Sequence, residues 1–204
     1  MPIQDPPKLS FKQRQLQFRE KAILDVVNRL LAQKGFDLMT MDEVAAEVGI
    51  AKASLYKHFG SKEELAAASM TRLIEQTIEV ATSLSESLCA LDKLKSIVRW
   101  AIQTHLGGTM PLLPSTRSTI QHALLAYPPY MDKLSLLTEH LGRWIGEAQD
   151  LGQLSRTLPG EVILYTIFAR SCDPVADFLK MGGAFSDAEI VDLLIRTCFD
   201  GMTG

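Results

Sequence analysis

Apolar side chains return every three or four residues along almost the whole chain, and no stretch alternates with the period of two that marks a strand. That pattern predicts an all-α fold of about nine helices. The first covers residues 11–33, where Ile23, Val26, Val27, Leu30 and Leu31 follow the i, i+3, i+4, i+7, i+8 rule and Gly35 is placed to end it. Thr40 and Glu43 make a capping box that opens a short second helix, with Val44, Ala45 and Val48 inward and Gly49 as its stop. A third short helix lies within residues 51–59. Ser61 and Glu64 make a second capping box, opening a fourth helix that extends to about residue 88. Coarser signals place further helices over 91–106, 115–126, 130–151 and 159–181, with Pro128 and Pro129 ending the second of these and Pro174 kinking the last. Ser186 and Glu189 open the final helix, whose Ile190, Val191, Leu194, Ile195 and Cys198 share one side. The fourth helix is the expected strut between two halves.

The third helix carries the chemistry. On a wheel of about 100° per residue, Leu55 and Phe59 fall together on a buried side. Ala53, Ser54 and Lys57 fall almost opposite, and Tyr56 and His58 take the flanks. With Lys52 at its start, the run offers a narrow outward strip of small residues and cations bordered by hydrogen-bond donors. Such a strip suits a DNA major groove. Small residues let the backbone approach base edges, the outward side chains read them, and the flanking donors hold the phosphate walls. Two helices joined by a tight turn at Gly49, the second bearing this strip, read as a helix-turn-helix.

Charge first argues against that reading and then for it. The formal net charge is -3 over 204 residues, which by itself disfavours a nucleic-acid binder. The distribution is uneven, however. Lys8, Lys12, Arg14, Arg19 and Lys21 stand against only Asp5 and Glu20 in residues 1–21, whereas residues 66–204 hold 11 basic and 15 acidic side chains. A basic leading arm on an acidic body fits phosphate contact at one end. Cys89, Cys172 and Cys198 are odd in number and far apart, so they read as reduced, mostly buried thiols. Residues 1–30 lack the apolar core of a signal peptide, and the most apolar stretch, 162–169, is too short to span a bilayer. A cytoplasmic protein with no membrane partner is expected. The chain has no Gly-rich phosphate loop, no His/Cys/carboxylate cluster at metal spacing and no nucleophile motif. The expectation is therefore no catalytic residues, no cofactor and no metal.

Residues 23–65, "ILDVVNRLLAQKGFDLMTMDEVAAEVGIAKASLYKHFGSKEEL", resemble the DNA-binding domain of the TetR/AcrR family of bacterial regulators. The shared features are Gly35-Phe36, Thr40, the Ala45 to Gly49 turn, Leu55-Tyr56, His58-Phe59 and Ser61-Lys62-Glu63. The resemblance implies that Thr40, Tyr56, His58 and Lys62 hold phosphates and that Ala53, Ser54 and Lys57 lie nearest the bases. Lys62 falls in the first turn of the fourth helix, where backbone N–H groups also favour an anion. There are departures. Ala51 stands where a capping residue is common, which costs about 1 kcal/mol of local stability. Ala53 replaces a frequent Gly, and Asp42 stands where some relatives place a base-reading cation, which counts against DNA contact there.

This divides the chain into a helix-turn-helix DNA-binding domain with its basic arm, residues 1–65, and a helical regulatory and dimerisation domain, residues 66–204. The resemblance implies a homodimer through the last two helices, reading a palindromic operator on double-stranded DNA with half-sites about 34 Å, or a multiple of it, apart. It also implies a small-molecule effector bound in the second domain. The candidates there are Trp100, His105, Met110, His122, Tyr127, Trp144, Tyr165, Phe168 and Arg170, unusual residues in a region otherwise suited to an apolar pocket. Arg170 and Asp173 could pair internally or orient a polar group of the effector. A regulator without an effector, or an activator in place of a repressor, stays open at this point.

Overall fold

A computed structural model of the chain describes residues 10–111 and 120–200. Its regular elements are all helical: α1 (Phe11–Leu38), α2 (Met41–Val48), α3 (Lys52–His58), α4 (Lys62–Ser83), α5 (Ala90–Leu106), α6 (Ile120–Leu125), α7 (Pro128–Asp150), α8 (Gly160–Ser171), α9 (Val175–Gly182) and α10 (Asp187–Asp200). The expected eighth helix is here two, α8 and α9. Pro174 lacks the N–H and the clearance that a continuing helix needs, so residues 172–174 break it where a kink was expected.

The helix ends explain the remaining shifts. Ser10 and Gln13 form a reciprocal capping box that starts α1. Gly35 leaves helical geometry at φ 76° and ψ 175°, as its placement suggested, but one more turn follows it to Leu38. Gly49 ends α2 in the left-handed region (φ 76°, ψ 34°), its N–H donating to Ala45 and Ala46. Helix α4 stops at Ser83, short of residue 88, in a turn stitched by Ser85 and Ser87. Pro128 and Pro129 open α7, because a first-turn residue needs no N–H partner. Of the predicted 115–126 helix, residues 120–125 are helical and 115–119 lie outside the described residues, as does Lys8 of the arm.

Two apolar clusters organise the packing. One gathers Ile23, Val27 and Leu30 of α1, Val44 of α2, Leu55 of α3, Leu65 and Met70 of α4, and Ile120 and Leu124 of α6. The other is built on Leu94 and Ile102 of α5, Leu141 and Trp144 of α7, Ile163 and Ile167 of α8, and Ile190 and Phe199 of α10. Helix α4 serves both, packing on α1 and α6 near its start and on α5 and α7 further along. No helix among the described residues is long and apolar enough to cross a membrane.

Candidate nucleic-acid interface and apolar cavity

The short helix α3 is oriented as its wheel requires. Leu55 is wholly buried and Phe59 nearly so, which presses one side of α3 into the cluster formed with α1, α2 and α4. Lys52, Ala53, Tyr56 and Lys57 are exposed, Tyr56 at 45 %, and Ser54 is half-buried beside them. The N-cap Ala51 has extended backbone and makes no side-chain cap bond, so the start of α3 is held by its main chain alone.

Four of the phosphate candidates, Lys52, Thr40, His58 and Lys62, are already engaged within the protein. Lys52 donates to Asp42 at 2.8 Å, linking the first turns of α3 and α2, and that hydrogen bond holds the ammonium pKa above its ordinary value. Thr40 is exposed, with Oγ1 accepting the Glu43 N–H at 3.3 Å. The Glu43 carboxylate, expected to reach back to Thr40, pairs with Lys34 of α1. His58 turns toward α1, its Nδ1 3.5 Å from the Glu20 carboxylate. Lys62 sits 4.3 Å above the Phe36 ring and donates to the Asp37 carbonyl at 3.3 Å, closing the last turn of α1. At the start of α4, Ser61 Oγ accepts the Glu64 N–H at 3.0 Å and the Glu64 carboxylate accepts the Gly60 N–H at 2.8 Å. The Ser61 hydroxyl thus takes one of the free N–H groups of this helix end, and the Glu64 carboxylate ties down the Gly60 turn that precedes it. The structure brings Thr40, Lys52, Ala53, Ser54, Tyr56, Lys57 and Lys62 around the α2–α3 turn and the start of α4, with His58 tucked behind them. Residues 11–19 of α1 extend the same end with exposed side chains, including Arg14, Arg19 and the apolar Phe11 and Phe18.

Further along α4 lies an apolar cavity of about 120 Å³. Met70, Leu73, Ile74 and Thr77 of α4 form one wall, at i, i+3, i+4, i+7 spacing. Ile97, Trp100 and Ala101 of α5 face them, Tyr130, Leu134, Leu137 and Leu141 of α7 and Ile167, Phe168 and Ser171 of α8 close the sides, and Met110, Pro111 and Cys172 complete the lining. Burial pushes the Tyr130 phenol above its ordinary range.

Of the nine sequence candidates for this region, Trp100, Met110 and Phe168 line the cavity. The other six lie elsewhere, each for a packing reason. His105 is buried in the last turn of α5 with Nε2 3.1 Å from Asp177 of α9, and its Nδ1 has no partner among the described residues. His122 is exposed on α6, and Tyr127 packs against the α1–α4 cluster with its phenol raised by burial and then by Glu64. Trp144 is core of α7, tilted against His140 at 6.3 Å. Tyr165 is 61 % exposed on the outer side of α8. Arg170 pairs with Asp173 across the α8–α9 break, so its charge is met internally. The α4 and α7 lining was missed because a stripe at i, i+3, i+4, i+7 reads identically whether it faces a core or a cavity.

Comparison with known proteins matches residues 23–69 to the family described as bacterial regulatory proteins, tetR family. The chain is 35% identical over 81 residues to the uncharacterized HTH-type transcriptional regulator YvaF of Bacillus subtilis (strain 168), a match spanning 39% of this chain and 42% of that one. It therefore spans less than half the length of that relative. It is 26% identical over 164 residues to the HTH-type regulator Mb1581 of Mycobacterium bovis, covering 73% of this chain and 76% of that one. In fold it is similar to the transcriptional regulator FadR of Bacillus subtilis in complex with stearoyl-CoA. That likeness has a TM-score of 0.65 at 15% identity and covers 89% of this chain and 98% of that one.

Proposed function

The chain belongs to the TetR family of helix-turn-helix transcriptional regulators, and on that premise we propose that it is a homodimeric repressor released from a palindromic operator by a small, largely apolar effector. It is a regulator and not an enzyme. Residues 1–65 read DNA through Ala53, Ser54 and Lys57, with Thr40, Lys52, Tyr56 and Lys62 on phosphates, and residues 66–204 sense and dimerise. His58 is turned to Glu20 of α1 and away from the phosphate contact expected of it. The observation that carries the reading is the course of α4. It begins at Lys62, directly after the recognition helix, and then walls the cavity with Met70, Leu73, Ile74 and Thr77. A ligand that separates α4 from α7 tilts α3 with it. Release then needs only different affinities for the two dispositions, and a coupling of about 1–3 kcal/mol changes operator affinity about 5- to 150-fold.

The cavity sets the effector's character. It is comparable in size to an engineered apolar cavity of about 150 Å³ that stays dry and takes up benzene. No Lys, Arg or His is among its described lining residues, so the buried part of the effector is uncharged. FadR, a regulator of the same fold, is complexed with stearoyl-CoA, and a long acyl chain would have to widen the space found here.

The second copy docks on α8 and α9. Val162, Tyr165, Val175, Phe178, Met181 and Phe185 expose an apolar face there, Phe178 at 68 % and Met181 at 83 %. Helix α10 turns its apolar side onto its own core and shows Glu189, Asp192 and Arg196 outward, so it takes the rim of that interface. Gel-filtration light scattering of the purified protein with its operator duplex tests the whole reading. Two chains per duplex, released by octanol, with Ala101→Phe filling the cavity and removing only the release, is the expected result. One chain per duplex, or release indifferent to Ala101→Phe, refutes it. A reporter behind the same operator falls on expression of a repressor and rises with an activator.

A further inference from the structure

Helix α4 carries a second stripe beside the one that lines the cavity. Gln76, Glu79, Val80 and Ser83 repeat the i, i+3, i+4, i+7 spacing about 120° around the helix from Leu73, Ile74 and Thr77. With Trp100 and Thr104 of α5 and Thr109 beyond it, they line an open groove on the surface. Trp100 belongs to both linings, so a single half-buried indole divides the apolar cavity from the polar groove.

The groove is rich in acceptors. Ser83 Oγ donates to the Val80 carbonyl at 2.8 Å, Thr104 Oγ1 to the Trp100 carbonyl at 2.8 Å, and Thr109 Oγ1 to the Thr104 carbonyl at 3.2 Å. Each hydroxyl has given its one proton to the main chain and presents lone pairs to whatever lies in the groove. Glu79 adds a carboxylate, and no Lys, Arg or His is among the described residues of either lining. An indole face beside a carboxylate and hydroxyl acceptors complements a cation that donates hydrogen bonds.

Resting on the cavity reading above, we infer that this groove is the head-group subsite of the effector, and that the effector is an amphiphile whose apolar body fills the cavity and whose protonated amine lies against Trp100, Glu79 and Thr109. A carboxylate or a nucleotide thioester finds no cation among the described lining residues, only the neutral Gln76 amide and Trp100 N–H as side-chain donors, and the Glu79 charge against it. Occupancy reaches the DNA-reading end through Thr109. Its carbonyl accepts from Asn28 Nδ2 of α1 at 2.6 Å, and Asn28 Oδ1 in turn accepts from Ser69 of α4 at 3.4 Å.

Calorimetric titration of the full chain at neutral pH with octylamine, octanol, octanoate and stearoyl-CoA tests the assignment. Octylamine binds tightest and octanol next. Glu79→Gln, an exposed and structurally mild change, lowers octylamine affinity about two- to fivefold and leaves octanol unchanged. Tighter binding of octanoate or stearoyl-CoA than of octylamine overturns the assignment. Equal affinity for amine and alcohol, with Glu79→Gln silent, overturns the groove as a head-group subsite while leaving the cavity as the effector site. Binding of none of the four overturns the cavity reading and this inference together.

Discussion

Asp42→Asn is the substitution whose effect on DNA binding follows most directly from the geometry. Asp42 Oδ2 lies 2.8 Å from Lys52 Nζ, and both side chains are largely in solvent. An exposed, solvent-screened pair of this kind is weak, so releasing Lys52 to a phosphate raises operator affinity modestly. One more phosphate neutralised steepens the dependence of log K on log salt by about 0.9. Between about 50 and 200 mM salt the variant therefore loses roughly threefold more affinity than the parent. The same change removes an acidic group from the first turn of α2, which costs about 0.3–1 kcal/mol of stability. Thermal melting then moves down while DNA affinity moves up, and that opposition separates the two effects. Fluorescence anisotropy of a labelled operator across a salt series measures both affinity and slope, with Lys52→Met as the control. An unchanged slope and unchanged affinity in Asp42→Asn would refute the placement of Lys52 at the DNA.

Asn28→Ala removes the 2.6 Å bond to the Thr109 carbonyl. At about 1 kcal/mol it reduces the effector-induced drop in operator affinity up to about fivefold, while the effector-free affinity stays near that of the parent; equal coupling in the two proteins would exclude this contact from the transmission. Ala51 already has N-cap backbone, φ -67° and ψ 141°, so Ala51→Ser adds about 1 kcal/mol and lifts the melting temperature by about 2–4 °C, read by differential scanning calorimetry. Burial holds the Cys198 thiol above its ordinary 9.0 and the Tyr130 phenol above 10.0. Both groups keep their protons more tightly folded than unfolded, so their stabilisation is complete below pH 9 and is lost as pH rises beyond it. Denaturant melts at pH 8 and at about pH 10.5 show the fall, and Cys198→Ala reduces it. Glu189, held below 4.5 by the Ser186 N–H and hydroxyl, has the opposite sign: its contribution is present above that pH and fades in acid.

Local rules made the DNA-reading end legible. Gly49 had to adopt a left-handed conformation, Thr40 and Ser61 had to cap, and Leu55 and Phe59 had to face inward for α3 to fit, because each depends on its near neighbours in sequence. The partners across the fold were not legible. Nothing local says that Glu43 answers Lys34 in place of Thr40, that His58 turns to Glu20, or that Lys62 rests on Phe36. The body was harder for the same reason. Pro174 announced a disturbance but not its size, and Pro128 and Pro129 fit the end of one helix as well as the start of the next. Trp144 and Trp100 carry the same side chain on successive long helices, yet one is core and the other divides a cavity from a groove. Only the packing of α4 against α5 and α7 decides which.

The most direct test of the central claim is selection of duplexes from a randomised pool by the full chain, repeated with Tyr56→Ala and Lys62→Ala and read at two salt concentrations. The account predicts a two-fold-symmetric sequence enriched by the parent and lost in both variants, with affinity falling steeply as salt rises. No enriched sequence, or an enrichment indifferent to both substitutions, would contradict it.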